Sequence, residues 1–300
     1  MKRTFWFLLA ILALPGLAAG MPPSGTPVKP GKLLKILDDE LKRNLAVLKK
    51  EPVPPYFVAY SVKDVTGSRI RASFGALEAD EEQRGRMLSV EVRVGDYRLD
   101  NTHAIRGSGW EPGFSTTTAR LPIEDDEAAI RETLWRETDR AFKDAVERIA
   151  KVRTNREVKV SEEDPSDDFS RETAEKSTGE PASLVLDRAA WRGRVKAWST
   201  RFLDDPRILS GAANLFATAE QRWFVSSEGA AVYSGATLVR LMIEASTKAD
   251  DGMMLPLHLS YASMTPEGLP ADDRIQADVK DLMEEARPRI LAKVAGMGRK

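Results

Sequence analysis

The chain holds 300 residues with 45 basic and 46 acidic side chains, a formal net charge of −1, and no cysteine. The lack of cysteine excludes disulfides, thiolate nucleophiles, zinc–cysteine centres and iron–sulfur clusters. Basic and acidic residues are interspersed, which excludes the positive field that nucleic-acid binders use to neutralise phosphates, and the length suits one large or two ordinary domains.

At the N-terminus, Lys2 and Arg3 precede an apolar run from Phe5 to Leu14. That run is about half of the roughly 20 residues a helix needs to cross a bilayer. Pro15-Gly16 breaks it, and Ala18-Ala19-Gly20 puts small residues before Met21. The layout predicts a secretory signal peptide over 1–20 and a periplasmic or secreted product, with no membrane span after cleavage. Pro22, Pro23, Ser24, Gly25, Pro27 and Pro30 make 21–31 a leader without the means to build a core.

The first folded module is expected over 32–153. Leu34, Leu37, Leu41, Leu45 and Leu48 recur at three- and four-residue steps, which predicts a helix from Gly31 to Lys50. Pro52, Pro54 and Pro55 end it. Strands are expected at Tyr56–Val62, Ser68–Gly75 and Met87–Val94; in the last, Val90, Val92 and Val94 alternate with polar neighbours. Gly95-Asp96 reads as a turn returning Tyr97–Leu99 as a hairpin partner, and Asp100–Thr118 as a long polar loop. A second helix is expected from Asp125 to Lys151, with acids crowding its start where they suit the helix dipole.

Residues 154–182 are rich in charge, Ser, Thr and Asp, and read as a polar linker. A second module is expected over 183–300. Its opening helix, Asp187–Leu203, carries Trp191, Val195, Trp198 and Phe202 on one face, which points to core packing. Strand-like segments follow at Leu209–Thr218, Gln221–Ser226, Ala231–Tyr233, Thr237–Ala245 and Met253–Met264. A closing helix spans Asp272–Ala295, with Ile275, Val279, Leu282, Ala286 and Ile290 inward and a kink or break at Pro288. The fold class is α+β: two helix–antiparallel-strands–helix modules in tandem, alike in layout and not in sequence.

Chemistry is sparse. His103 and His258 are the only histidines, far apart in sequence, and no His-Glu-x-x-His pattern exists. His103, in Asp100-Asn101-Thr102-His103, reads as a polar loop residue before a ligand or general base. His258, inside Leu255-Pro256-Leu257-His258-Leu259, reads as a half-buried strand residue. Ser108 lacks the Gly-x-Ser-x-Gly spacing of a nucleophile elbow, and Ser226-Ser227-Glu228-Gly229 reads as a hairpin turn. Asp164, Ser166 and Asp168 alternate like the first ligands of a calcium loop, but Phe169 stands at the glycine position and the terminal glutamate is missing. No phosphate-binding glycine motif occurs. No catalytic, cofactor-binding or metal-ligating residue is therefore assigned.

Several segments together go further. Arg93–Thr102 (RVGDYRLDNT), Leu134–Lys143 (LWRETDRAFK), Asp168-Phe169-Ser170, Val225–Gly229 (VSSEG), Asp251-Gly252-Met253 and Leu269-Pro270 are, in order and spacing, similar to exported members of the TldD/PmbA metallopeptidase family. The resemblance covers about Leu33 to Val294. It implies an N-terminal region of mixed helices and antiparallel strands, and in the metal-bearing subunit a C-terminal half opening near a His-Glu-x-x-x-His helix that binds zinc and activates water. It also implies pairing with a paralogue and cleavage of small or unfolded peptides. This sequence ends at Lys300, about where the family would continue into the zinc-binding half, so no residue here inherits a zinc ligand or general base. The expectation is a non-catalytic region that shapes a substrate chamber or partner surface for a C-terminal or paralogous peptidase subunit, with peptide substrates only in the complete enzyme. The alternative is a free-standing exported binding or interaction module.

Overall fold

A computed structural model describes residues 30–105, 116–157, 166–249 and 252–297, with side chains as far as residue 284. The expected signal peptide and most of the leader lie outside the described residues. Helix α1 spans Pro30–Leu48, and strands β1 (Pro55–Ser73), β2 (Ala76–Val94) and β3 (Thr116–Arg120) follow, then α2 (Glu127–Glu157). The short strand β4 (Lys176–Thr178) precedes α3 (Arg188–Thr200) and a 3-10 turn at Arg201–Asp204. Strands β5 (Ile208–Ser226), β6 (Ala231–Lys248) and β7 (Met254–Ser263) lead to α4 (Asp272–Met297). Among the described residues no helix is long and apolar enough to cross a membrane.

All seven strands join one sheet in the order β3-β2-β1-β5-β6, with β4 and β7 both pairing β6. The two groups of strands meet at the antiparallel β1–β5 pair, from Ala59↔Ser226 to Ser73↔Ala212. The α+β class holds, with strands from both halves of the chain in one layer.

Side chains two apart in a strand share a face, and the buried residues follow that period. Val58, Tyr60, Val62, Ile70 and Ala72 of β1 line the inner face with Leu215 and Trp223 of β5 and Val239 and Leu241 of β6. At one end of that face the leucine stripe of α1 and Ile130, Leu134, Ala145 and Ile149 of α2 complete a core. At the other end Trp191, Val195 and Trp198 of α3 and Ile275, Val279 and Leu282 of α4 complete a second. Burial of each valine, leucine or isoleucine among them contributes roughly 1.5–3 kcal/mol. Trp191 and Trp198 meet edge to face at 6.2 Å, as core residues.

Several expected boundaries change. Tyr56–Val62 and Ser68–Gly75, the latter only as far as Ser73, are parts of one long β1, because Asp64 between them faces inward and imitates a loop residue. Asp64 stands opposite Arg86, accepts from its Nε (3.0 Å) and Nη2 (2.9 Å), and also accepts from Arg84. Arg86 is fully covered and donates in addition to the Pro122 carbonyl and Asp125. The segments expected over 209–226 fuse into β5, and those over 231–245 into β6. Tyr97–Leu99 is not a return strand: only an isolated Gly95↔Asp100 bridge closes that turn. The partner of β1 is all of β2, joined by the two-residue turn Phe74-Gly75, in which both residues have positive φ (46° and 82°). That is the backbone twist a tight hairpin needs. Helix α4 continues through Pro288 without a break, and Ala286 and Ile290 fall outside the described side chains. Residues 154–157 belong to α2. The segment expected as a linker is pinned down where described, for Glu175 O accepts from Ala231 N and Tyr233 O from Gly179 N, both at 2.9 Å. Gly235 permits this approach, since a Cβ there would overlap Ala182 N and Glu180 O.

Candidate functional site

Three segments distant in sequence converge at the corner where β1 begins and β2 ends. The turn after β2 brings Tyr97, Asp100 and His103; the segment before β4 brings Asp168, Phe169 and Arg171; the β5–β6 turn brings Ser227 and Glu228. Phe169 N donates to Tyr97 O (3.0 Å), and Ser227 N donates to Val58 O (2.8 Å). Val58 N donates back to Ser227 Oγ (3.0 Å), and Tyr97 Oη donates to Glu228 Oε1.

The ring of Phe169 packs edge-on against Phe57 (4.9 Å between centroids) and Tyr56 (6.4 Å), and parallel to Tyr97 (6.0 Å). The Arg93 guanidinium lies over Phe169 at 4.0 Å, and that of Arg171 over Tyr97 at 3.8 Å. Cations placed over ring faces in this way are each worth about 0.5–1 kcal/mol at exposed sites and more where desolvated.

Beneath the rings lies a buried carboxylate. Asp100 Oδ1 accepts from Thr102 N (2.6 Å) and Thr102 Oγ1 (2.7 Å). Its Oδ2 accepts from Tyr56 Oη (2.6 Å) and Arg93 Nη1 (2.9 Å). Burial opposes ionisation of Asp100, but the bonds from Tyr56, Thr102 and Arg93 outweigh it and hold the carboxyl below its ordinary range. The same burial, with the Asp100 charge, pushes the Tyr56 phenol upward, and the bond to Glu228 raises that of Tyr97. Next to it Asn101 is sealed in: its Oδ1 accepts from Val94 N (2.8 Å), and its carbonyl accepts from Arg148 of α2 (2.7 Å).

Asp168 joins the two layers of this corner. Its Oδ2 accepts from Asp100 N (2.9 Å) and its Oδ1 pairs with His103 Nδ1 (2.6 Å). His103 is thus a clamp residue; among the described residues its Nε2 has no hydrogen-bond partner, and no hydroxyl is lined up as a nucleophile. Each oxygen of Asp100 and Asp168 is already occupied, so neither is poised to hold a cation or activate water. His258 lies on β7, exposed rather than half-buried because it faces away from the helices, opposite Glu244. Four strand spacings, roughly 19 Å, separate β7 from β2, so the two imidazoles cannot share an ion. The residues present do not fit a zinc site of the family's kind. No group of three or more His, Cys, Asp or Glu side chains among the described residues is arranged to hold a metal ion.

Of the serines weighed in the sequence, Ser226 ends β5, Ser227 sits in the β5–β6 turn, where Gly229 has φ of 98°, and Ser108 lies outside the described residues. Asp164 does too, while Asp168 is committed to the clamp. Sequence reasoning named no site residue, yet Arg93, Tyr97, Asp100, Asp168, Phe169 and Glu228 all lie within segments that carried the resemblance. The available signal was aromatic rings and arginines set in otherwise polar stretches.

No family model and no curated protein matches the chain. Among solved structures it is similar to a protein described as a candidate modulator of a DNA gyrase from Thermotoga maritima, with a TM-score of 0.49 and 14% identity over 82% of this chain and 47% of that one. A protein of like description from Bacteroides thetaiotaomicron gives a TM-score of 0.46 and 12% identity over 85% and 49%. TldE from Thermococcus kodakarensis gives 0.44 and 9% over 85% and 47%. The chain spans about half the length of each.

Proposed function

We propose that this chain is the N-terminal, non-catalytic region of a TldD/PmbA-type metallopeptidase, exported and built from two helix–strands–helix modules, and that it forms one wall of a peptide chamber. The zinc and the water-activating glutamate would come from another half or a paralogous subunit. The observation that carries this role is the convergence of the motif segments. Arg93–Thr102, Asp168-Phe169 and Ser227-Glu228, which resemble the family separately along the sequence, interlock side chain to side chain at one corner. Segments that must fit one another constrain one another's sequence, which gives a physical reason for motifs that carry no catalytic group.

The test is reconstitution. Purified mature chain is assayed on an unfolded peptide, alone with zinc and then with a zinc-bearing family member from the same genome. The expected result is no turnover alone and zinc-dependent turnover, with co-elution, in the mixture. Zinc-dependent cleavage by the isolated chain would overturn the non-catalytic role. Failure of every zinc-bearing partner to associate would favour the free-standing binding module instead.

A further inference from the structure

The outer face of the sheet is covered by no described element, and its composition differs from that of the inner face. Its central row crosses three strands: Arg69 of β1 stands beside Phe216 of β5, which stands beside Arg240 of β6. One step along, Thr218 pairs with Leu238; one step the other way, Asn214 pairs with Met242. Phe216, Thr218, Leu238, Arg240 and Met242 enclose a concavity of about 290 Å³ with an apolar floor.

Neither arginine flanking Phe216 forms an ion pair among the described residues, although Glu81 of β2 stands opposite Arg69 in the same row. The Arg69 guanidinium lies 5.6 Å from the Phe216 centroid, and its Nε is buried without a hydrogen-bond partner. Arg240 makes no ion pair among the described residues. Other cations of this face have found acids, as Arg71 has in Glu78 and Glu244 and Arg222 in Glu220. A buried donor without a partner costs roughly 1–3 kcal/mol, and two guanidiniums on one row repel each other. An anion seated in the concavity beside Arg240 offsets that repulsion.

We propose that this concavity binds the free C-terminal carboxylate of a peptide whose last residue is apolar. Complementarity in charge selects a carboxylate, and a guanidinium fork matches its geometry. Spacing then selects its source. In an extended peptide consecutive side chains point to opposite faces, so an acidic side chain sharing a face with an apolar one stands two residues, about 7 Å, away. Arg240 projects between Leu238 and Met242, within the apolar floor itself. Only a terminal residue carries an apolar side chain and a carboxylate on the same Cα. The concavity would be a recognition subsite of the peptide chamber proposed above, and it deepens that role.

The experiment is fluorescence-polarisation binding of the full mature chain to one labelled peptide in three forms, ending in leucine with a free carboxylate, in leucine amide, or in leucine amide with a glutamate two residues earlier. The free acid is expected to bind tightest, with the amide weaker by about tenfold or more, the loss set by a charge-assisted hydrogen bond. Arg240→Gln should erase that preference, and Leu238→Asp should weaken binding of the acid by about tenfold through lost apolar contact and repulsion. Equal affinity for acid and amide, equal affinity for the glutamate-bearing amide, or an unaltered preference in Arg240→Gln each overturns the proposal. Binding is read on the chain alone, so its failure is separable from a failure to reconstitute peptidase activity.

Discussion

The two faces of the sheet hold arginines in opposite electrical states. On the inner face Arg86 is wholly covered, stands opposite Asp64, and reaches Asp125 and the Pro122 carbonyl as well. On the outer face Arg69 and Arg240 flank Phe216 and form no ion pair among the described residues, Glu81 standing opposite Arg69 without closing one. An ion pair in the interior is held by its partners, and losing one partner strands the other charge. The exposed guanidinium of Arg240 keeps its hydration and remains free to receive a ligand. The covered charge of Arg86 therefore serves the fold, whereas Arg240, unlike its paired neighbours Arg71 and Arg222, is left for recognition, and substitutions should separate the two.

The largest effect is expected at Asp64. Asp64→Ala leaves Arg84 and Arg86 facing each other inside the sheet with only the more distant charges of Asp125 and Glu124 to offset them, and should lower unfolding free energy by about 3–5 kcal/mol. Urea denaturation followed by tryptophan fluorescence measures it. A loss under 1 kcal/mol, roughly what an exposed pair is worth, would mean that the inner face is no more committed than the outer.

Next comes the closeness of the 166–182 segment to the sheet. In Gly235→Ala the added methyl would overlap the backbone at Ala182 and Glu180, and overpacking of this kind costs about 1–3 kcal/mol. Asp168→Ala removes the acceptor for Asp100 N and the partner of His103, a loss of similar order. Limited proteolysis should cut both variants faster within 166–182, and a cleavage rate equal to that of the parent would show that the clamp does not hold the segment.

The corner also has a pH signature. The folded-state value of Asp100 lies below its ordinary one. Its contribution to stability is therefore whole above the unfolded value of about 3.9 and is lost as pH falls through the folded value. The phenols of Tyr56 and Tyr97 lie above theirs, so their contribution is whole below about pH 10 and is lost as pH rises beyond it. Thermal midpoints taken from pH 7 downward should fall more gently in Asp100→Asn than in the parent. Parallel curves would place the acid sensitivity elsewhere.

How much of this was legible beforehand depended on which residues obey a simple period. The α1 leucines and the alternating valines of β2 do: α1 stands where the sequence puts it, and β2 ends at Val94 as expected but begins at Ala76 rather than Met87, because its first half is polar and lacks the alternation. Asp64 does not: a carboxylate on the inner face is indistinguishable in sequence from a loop residue until Arg84 and Arg86 are known to face it. Tyr97–Leu99 misled because Gly95-Asp96 is a good turn signal, while the hairpin turn in use contains Phe74, a residue seldom found at positive φ. Among the motif residues, Asp100 and Asp168 could be singled out by resemblance, but their contact spans 68 positions and leaves no local pattern. The Arg69–Phe216–Arg240 row is equally silent, since it depends on the pairing register of three strands.

The smallest effect on stability is expected where the largest effect on binding is. Arg240 is exposed and unpaired among the described residues, so Arg240→Gln should change unfolding free energy by no more than about 0.5 kcal/mol, the usual range for surface substitutions. If Arg240→Gln instead raises stability by a full kcal/mol, the repulsion between Arg240 and Arg69 is a strain that the fold carries without a ligand, and the outer face is primed more strongly than its geometry alone requires. If it lowers stability by as much, Arg240 is a structural residue like Arg86, and the contrast between the two faces fails at the residue on which it turns.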